Sequence, residues 1–322
     1  AMERRAEEAE RETIKMKKII KIISIIILIL TIFIMGITLY IGNYLYDYTL
    51  NPHSNHSLFD SELYQKDTQD AQKWLEDKSV HLSISSYDDL FLHAYYIEQN
   101  NPIYAIMVHG YRGDSSSIIS PVKHFYEQGY NLLIPDLRGH GQSEGDYIGM
   151  GWDDRYDIMG WIDYLVSQNP QAQIILYGVS MGGATVMDVA GENLPSQVKA
   201  VIEDCGYTSV WDVFQYHIPM KKWQSEVALH MASLVTQIRA GYALEDVQPI
   251  QQVQKSQIPI LFIHGQDDDF VPVDMIDELY LKANCPKEKL IIKGAGHAQS
   301  CSTDAKTYYQ TIFQFIHRYT KK

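Results

Sequence analysis

Residues 173–182 read Gln173-Ile174-Ile175-Leu176-Tyr177-Gly178-Val179-Ser180-Met181-Gly182, a short apolar run that ends in a Gly-x-Ser-x-Gly pattern. The apolar run predicts a buried strand, and the small residues that follow at 183–187 predict a helix. Two glycines leave room for a sharp turn between strand and helix. Such a turn presents a serine hydroxyl at the carboxyl end of the strand, over the amino end of the next helix. Ser180 is therefore a candidate nucleophile.

Two later stretches supply the other groups that an activated serine needs. His264-Gly265-Gln266-Asp267-Asp268-Asp269-Phe270-Val271-Pro272 follows an apolar run at 258–263, and Gly294-Ala295-Gly296-His297 follows another at 289–292. A serine hydroxyl is a poor nucleophile at neutral pH, so it requires a base, usually histidine, that a carboxylate orients. His297 is the candidate base. The acid comes from the Asp267–Asp269 run, with Asp204 at another strand end as a less favoured alternative.

Taken together, these motifs resemble those of serine α/β-hydrolases, in particular the serine aminopeptidase and monoglyceride lipase-like branch. Further matching pieces are His109-Gly110-Tyr111 and the stretch Asp136-Leu137-Arg138-Gly139-His140-Gly141-Gln142-Ser143-Glu144-Gly145, and the likeness covers roughly residues 80–320. The resemblance implies an α/β-hydrolase fold.

The resemblance also assigns the parts of the candidate site. It makes Asp268 the acid, through the pattern Asp268-x-x-Val271-Pro272. It implies an oxyanion hole built from the backbone N–H groups of Met181 and Tyr111. It makes His109 and His140 structural, and Arg138 part of a turn near the site.

The body of the chain alternates strand-like and helix-like patterns. This alternation predicts a mostly parallel central sheet with helices on both faces and an antiparallel first hairpin. The predicted strands are residues 80–85, 90–97, 103–108, 131–135, 174–177, 200–203, 260–263 and 290–292.

One segment interrupts that alternation and is interpreted as a helical cap. It covers about residues 206–256 and precedes the strand that carries the acidic residue. In members of the family that the chain resembles, such caps cover the active site and select the substrate. Trp211, Phe214 and Trp223 are therefore candidate substrate-binding residues, although aromatic residues of this kind commonly hold a cap together.

The amino-terminal part predicts a membrane anchor. Residues 22–46 contain no charged side chain and are long enough to span a bilayer, and lysines precede them. Residues 16–48 are predicted to be a transmembrane signal-anchor, with the amino end inside the cell and the catalytic domain at 80–322 outside. The alternative is a cleaved signal peptide, which makes the protein secreted. Residues 1–15 differ in composition and are a possible tag or extra segment, and 49–79 form a linker with a short helix.

Composition narrows the class of protein. The 322-residue chain has a formal net charge of -13, which argues against nucleic acid as a partner. Its three cysteines show no disulfide or metal-ligand spacing, and no cofactor motif is evident. The leading hypothesis is hydrolysis of small-molecule carboxylic esters through an acyl-enzyme. The same triad could act on short peptides, with Glu226, Glu245 or Asp246 binding the free amine. A non-catalytic binding module on a hydrolase scaffold is the third alternative.

Overall fold

All eight predicted strands lie in a single sheet in a computed structural model of the protein, which describes residues 2–54 and 68–321. The sheet order is β1-β2-β4-β3-β5-β6-β7-β8. β2 is antiparallel to both β1 and β4, and all other pairs are parallel. This confirms the mostly parallel sheet with an antiparallel first hairpin. The strands are Val80–Ser85 (β1), Phe91–Ile97 (β2), Ile103–Val108 (β3), Asn131–Pro135 (β4), Gln173–Val179 (β5), Val198–Asp204 (β6), Ile260–Gly265 (β7) and Lys287–Ile292 (β8).

Helices connect the strands and cover both faces of the sheet, as predicted. Alternate residues of β3 and β5 enter two separate hydrophobic cores, because successive side chains of a strand point to opposite faces. α2, α3 and α11 cover one face, and α4, α5, α8 and α9 cover the other. The helices are Met2–Thr49 (α1), Thr68–Lys78 (α2), Ile119–Glu127 (α3), Asp154–Gln168 (α4), Met181–Ala190 (α5), Val210–His217 (α6), Lys222–Ala240 (α7), Pro249–Lys255 (α8), Asp274–Lys282 (α9), Ser300–Thr303 (α10) and Ala305–Tyr319 (α11).

The segment interpreted as a cap lies between β6 and β7. It contains α6, α7 and a short 3-10 helix at Leu244–Asp246, followed by α8. α6 contacts α7, and α7 also contacts the carboxyl-terminal end of α1. The cap is therefore assembled from both the inserted segment and the end of the amino-terminal helix.

The long helix α1 combines an exposed apolar part with an end that belongs to the fold. Its stretch Arg11–Thr49 is long and apolar enough to cross a membrane, and none of its most apolar window is buried. Tyr46 and Leu50, by contrast, lie in the hydrophobic core, and Gly42 contacts α7. Within the described residues 2–50, the helix thus runs from the apolar segment into the core without an interruption. Residues 55–67 of the predicted linker lie outside the described residues.

Arg138 fixes the turn that follows β4, as the motif predicts. Its guanidinium is fully buried and donates two hydrogen bonds of 2.7 Å to the carboxylate of Asp157. It also donates to both oxygens of Asp88, at 3.0 and 3.1 Å, and to Tyr147 Oη at 2.9 Å. Pairing with two carboxylates compensates the cost of removing the cation from water. The guanidinium thus joins the β1–β2 turn, the β4 loop and α4.

Candidate active site

Ser180 occupies a strained turn between β5 and α5. Its backbone has φ 57° and ψ -119°, a conformation that non-glycine residues adopt at a cost of about 1–3 kcal/mol. A Cβ atom at Gly178 would overlap the carbonyl group of Gly182, and one at Gly182 would overlap the carbonyl of Val108. Both glycines are therefore required by close backbone approach. The Ser180 N–H donates to the carbonyl of Asp204 at 2.8 Å, which ties the turn to β6.

The structure brings Ser180, His297 and Asp268 together in one chain of hydrogen bonds. His297 Nε2 lies 2.8 Å from Ser180 Oγ, and His297 Nδ1 lies 2.8 Å from Asp268 Oδ2. All three side chains are buried. Because an ionised Asp268 can only accept, Nδ1 carries the proton and Nε2 presents a lone pair to the serine hydroxyl. This is the arrangement in which imidazole can remove the hydroxyl proton.

Asp268 is held in its ionised form by several donors. Its Oδ1 accepts the backbone N–H groups of Phe270 and Val271, at 2.9 and 2.8 Å. Its Oδ2 lies 3.2 Å from His264 Nε2 as well as close to His297. Burial alone would raise the pKa of Asp268, but hydrogen bonds from His264 and His297 outweigh it, and the pKa is well below its usual value.

The other candidate acids lie elsewhere. Asp267 and Asp269 are exposed. Asp204 is buried, but its Oδ2 accepts from Tyr308 Oη at 2.8 Å, and burial raises its pKa to about 6. The geometry therefore favours Asp268 as the acid that faces His297.

Two buried histidines hold the loop that carries Tyr111. His109 Nε2 accepts from the backbone N–H of Leu137 at 3.0 Å, and its Nδ1 donates to the carbonyl of Gly110. His140 Nε2 accepts from the N–H of Arg112 at 3.1 Å, and its Nδ1 donates to the carbonyl of Arg138. Burial lowers the pKa of both rings, that of His140 to about 3, so both are neutral at physiological pH.

This loop and the Ser180 turn share one edge of the sheet. Val108, the last residue of β3, pairs with Gly178 near the end of β5. Met181 is the first residue of α5, so its N–H has no carbonyl partner within the helix. The backbone groups of Met181 and Tyr111 thus follow adjacent parallel strands, which is where the resemblance predicts an oxyanion hole.

The three cap candidates occupy different environments. Phe214 is buried and lines a small apolar pocket, whereas Trp211 is half-buried and its ring lies 4.8 Å from the His230 ring within the cap. Trp223 is 64% exposed on the outer side of α7, so the geometry does not support a place for it in a buried substrate pocket. The small apolar pocket beside Phe214 is lined by Leu45, Thr49, Phe214, Ile218, Leu229 and Ala232.

Two of the three acidic residues considered for binding an amine, Glu245 and Asp246, are engaged within the cap, whereas Glu226 is half-buried on α7. Glu245 accepts from Ser233 Oγ and lies 3.0 Å from His230 Nδ1. Asp246 accepts from the backbone N–H of Ala243 at 2.9 Å. These contacts stabilise the turn after α7.

The structure reveals two contacts at the site, and one contact between α1 and the cap, that the sequence motifs did not indicate. His264 faces Asp268 from the end of β7, and the Phe270 ring lies 4.5 Å from the His297 ring. Leu45 and Thr49 of α1 line the apolar pocket. His264 and Phe270 lie inside the stretch that supplies the acid, so their position was a signal. No local pattern in α1 indicates contact with residues so distant along the chain.

One group of side chains has the donor spacing of a metal site. Cys205, Asp268 and His297 have ligand atoms within 4.8 Å of one another. Two of them are already hydrogen-bonded to each other in the chain that ends at Ser180. A cation there would compete with that chain.

Comparison with known families agrees with this geometry. Residues 103–249 match the family model described as serine aminopeptidase, S33, a range that includes Ser180. The chain has the fold and the motifs of a serine α/β-hydrolase. It is 29% identical over 219 residues to the protein YqkD of Bacillus subtilis (strain 168), covering 67% of this chain and 72% of the relative. It is 27% identical over 215 residues to YfhR of Escherichia coli (strain K12), covering 66% and 69%.

Solved structures share the α/β-hydrolase fold. The Pyrococcus furiosus esterase Pf2001 has a TM-score of 0.63 and 19% identity, with 77% of this chain and 95% of that chain covered. The Pyrococcus horikoshii acylaminoacyl peptidase has a TM-score of 0.55 and 18% identity, with 76% and 42% covered. At this identity the likeness concerns the fold alone, and it confirms the predicted fold of the hydrolase.

Glu203 gives the hydrolase a predictable dependence of stability on pH. Burial raises its pKa from 4.5 to about 8, and its Oε1 has no hydrogen-bond partner among the described residues. The folded state binds this proton more tightly than the unfolded chain, so the stabilisation is complete below about pH 4.5 and is lost as pH rises to about 8. Glu203→Gln stays neutral. We expect it to match the wild type near pH 5 and to exceed its free energy of unfolding by roughly 4 kcal/mol at about pH 9.

Urea unfolding of both proteins at the two pH values checks this expectation. If the difference in free energy of unfolding between Glu203→Gln and the wild type is the same at both pH values, Glu203 does not titrate in this range.

Proposed function

We propose that this protein is a membrane-anchored serine hydrolase that faces the outside of the cell and cleaves carboxylic esters through an acyl-enzyme. The observation that carries the proposal is the 2.8 Å contact of His297 Nε2 with Ser180 Oγ, together with the 2.8 Å contact of His297 Nδ1 with Asp268. This chain of contacts provides a nucleophile, a base and a group that fixes the tautomer of the base.

The proposed reaction has two halves. Ser180 Oγ forms a bond to the ester carbonyl carbon while His297 takes the hydroxyl proton, and the N–H groups of Met181 and Tyr111 stabilise the oxyanion. The carbon–oxygen bond to the alcohol then breaks, and the alcohol leaves with the proton from His297. Water next attacks the acyl-enzyme and gives its proton to His297. The acid is released and Ser180 regains its proton.

The contacts of two cap acids favour esters over aminoacyl amides as the substrate class. The cap acids Glu245 and Asp246 already have partners within the cap, which disfavours their use in binding a substrate ammonium group.

The anchoring part of the proposal is supported by α1. Its apolar stretch is exposed over its most apolar window and is long enough to cross a bilayer. Lys15, Lys17, Lys18 and Lys21 precede it, which favours a cytoplasmic amino end. Tyr40 and Tyr44 are exposed near its other end, where tyrosine is favoured at a membrane surface.

A substrate panel tests the proposed activity. The full chain, purified in detergent, is assayed with p-nitrophenyl esters of graded acyl length and with aminoacyl p-nitroanilides, and the rate of Ser180→Ala is subtracted from each. We expect kcat/KM for at least one ester to exceed that for every amide by a factor of about 100 or more. Faster hydrolysis of aminoacyl amides would assign the site to peptides instead. Failure with both classes would overturn the enzymatic proposal.

A further inference from the structure

The outer face of α7 carries a stripe of large apolar side chains. Trp223, Val227, Leu234 and Ile238 are exposed by 64%, 47%, 45% and 66%, respectively. They are spaced four, seven and four residues apart, which places them on one face of a helix with 3.6 residues per turn. We call these four residues the α7 stripe. Several exposed apolar side chains on one face of a helix indicate a surface that binds a partner or a membrane.

The α7 stripe borders the contact between α7 and α1. Gly42 of α1 lies against the backbone of Met231 and the side chain of Val235, and a Cβ at Gly42 would overlap both. Residues 231 and 235 each immediately neighbour the face that carries Leu234 and Ile238. The exposed surface of α1 therefore continues directly onto the α7 stripe.

The height of this contact along α1 coincides with its aromatic residues. Tyr40 and Tyr44, exposed by 77% and 62%, lie on either side of Gly42. Tyrosine and tryptophan are enriched at the depth where hydrocarbon meets water, because their rings are apolar and their polar atoms stay hydrated. If α1 crosses the bilayer, then α7 meets it at the level of the lipid headgroups. The indole of Trp223 lies on the same face as the rest of the stripe.

The positive charge at the start of α7 suits a membrane surface as the partner of the α7 stripe. Lys221 and Lys222 directly precede Trp223, in a chain whose formal net charge is -13. Basic residues beside an exposed apolar helix face are the pattern of helices that lie in a membrane interface, because the cations meet lipid phosphates. Arg239, at the other end of α7, pairs with Asp47 of α1 at 2.8 Å and fixes the two helices together.

We propose that the α7 stripe lies in the lipid interface beside the point where α1 leaves the membrane, so that the cap of this hydrolase rests on the bilayer. The occupant of the apolar face is phospholipid. The inference rests on the anchoring of α1 proposed above, and it adds a second contact between the domain and the membrane. It also accounts for the exposure of Trp223, for which a buried pocket provides no explanation.

Site-specific probes in the full chain test this arrangement. Single cysteines replace Leu234, Leu281 or Ile29 in a Cys301→Ser background, and each is labelled with the fluorophore NBD. The protein is then reconstituted into phosphatidylcholine vesicles in which about one lipid in five is the anionic phosphatidylglycerol. Leu281 on α9 is the matched control, because it is a leucine exposed by 77% on a helix away from α1. Ile29 lies in the apolar stretch and reports on the anchor itself.

We expect spin-labelled lipid to quench the probe at residue 234 about threefold more than the probe at 281, and we expect the probe at 234 to be protected from aqueous iodide. A lipid-quenched probe at 29 with a probe at 234 that behaves like the one at 281 would overturn the docking of α7 and leave the anchor intact. A probe at 29 that iodide reaches would overturn both proposals. Quenching at 234 by a protein contact rather than lipid would appear equally in detergent micelles lacking spin label, and that result would also overturn the inference.

Discussion

Ser180→Ala is expected to lower kcat for ester hydrolysis by a factor on the order of 10⁶, because removal of the nucleophile from such a triad leaves only substrate binding and oxyanion stabilisation. Alanine retains the backbone of the turn but has no Oγ. His297 Nε2 therefore loses the hydroxyl group that lies 2.8 Å from it in the wild type. The protein should also lose covalent labelling by a fluorophosphonate. Initial rates with a short-chain ester and gel-based labelling measure the two effects.

A matched substitution separates this effect from general damage. Ser167→Ala removes an exposed hydroxyl near the end of α4, which the whole length of β5 separates from the Ser180 turn, and should retain wild-type rate and labelling. Circular dichroism of both variants checks that the fold is intact. Wild-type turnover by Ser180→Ala would show that another residue is the nucleophile.

Asp268→Asn is expected to lower kcat by about 10⁴ while leaving the loop in place. The amide oxygen of asparagine can keep the bonds from the N–H groups of Phe270 and Val271, which leaves its NH₂ facing His297. His297 Nδ1 must then accept, so the ring proton moves to Nε2. In that tautomer the ring cannot take a proton from Ser180. The kcat of the purified variant on a short-chain ester measures the loss.

The flanking acids provide close controls for this prediction. Asp267→Asn and Asp269→Asn remove the same charge from the same loop, and both residues are exposed. We expect these two variants to keep activity within about twofold of wild type, since exposed charges interact weakly with a buried site. Asp204→Asn tests the alternative acid. A larger loss from Asp204→Asn than from Asp268→Asn would contradict the assignment of Asp268.

The sequence predicted the sheet well because its inner strands are buried on both faces. The runs at 103–108 and 131–135 are apolar except for Asn131, and their predicted bounds equal the observed ones. β8 was predicted too short, at 290–292 rather than Lys287–Ile292. It forms one edge of the sheet and is only partly buried, so Lys287, Glu288 and Lys289 are tolerated there and obscure the strand pattern.

The candidate site was predictable to the extent that it depends on motifs at strand ends. Ser180, Asp268 and His297 each follow a parallel strand, and the carboxyl ends of such strands share one edge, which brings distant residues together. The cap was less predictable. Phe214 and Trp223 are both cap aromatics, yet one is buried and the other exposed, because their surroundings depend on how α6 and α7 pack against α1. Contacts of that kind leave no periodic trace in the sequence.

The unbroken course of α1 has a consequence for where this enzyme can work. At 1.5 Å per residue its 48 residues form a rod of about 70 Å, and the last turns are part of the hydrophobic core. A catalytic domain on a flexible linker samples a large volume of solution. A domain fused to a rigid helix is instead held at one height and one tilt relative to that helix. If α1 spans a bilayer, lateral diffusion in two dimensions governs encounters with substrate. Molecules that do not reach the membrane surface are then not hydrolysed.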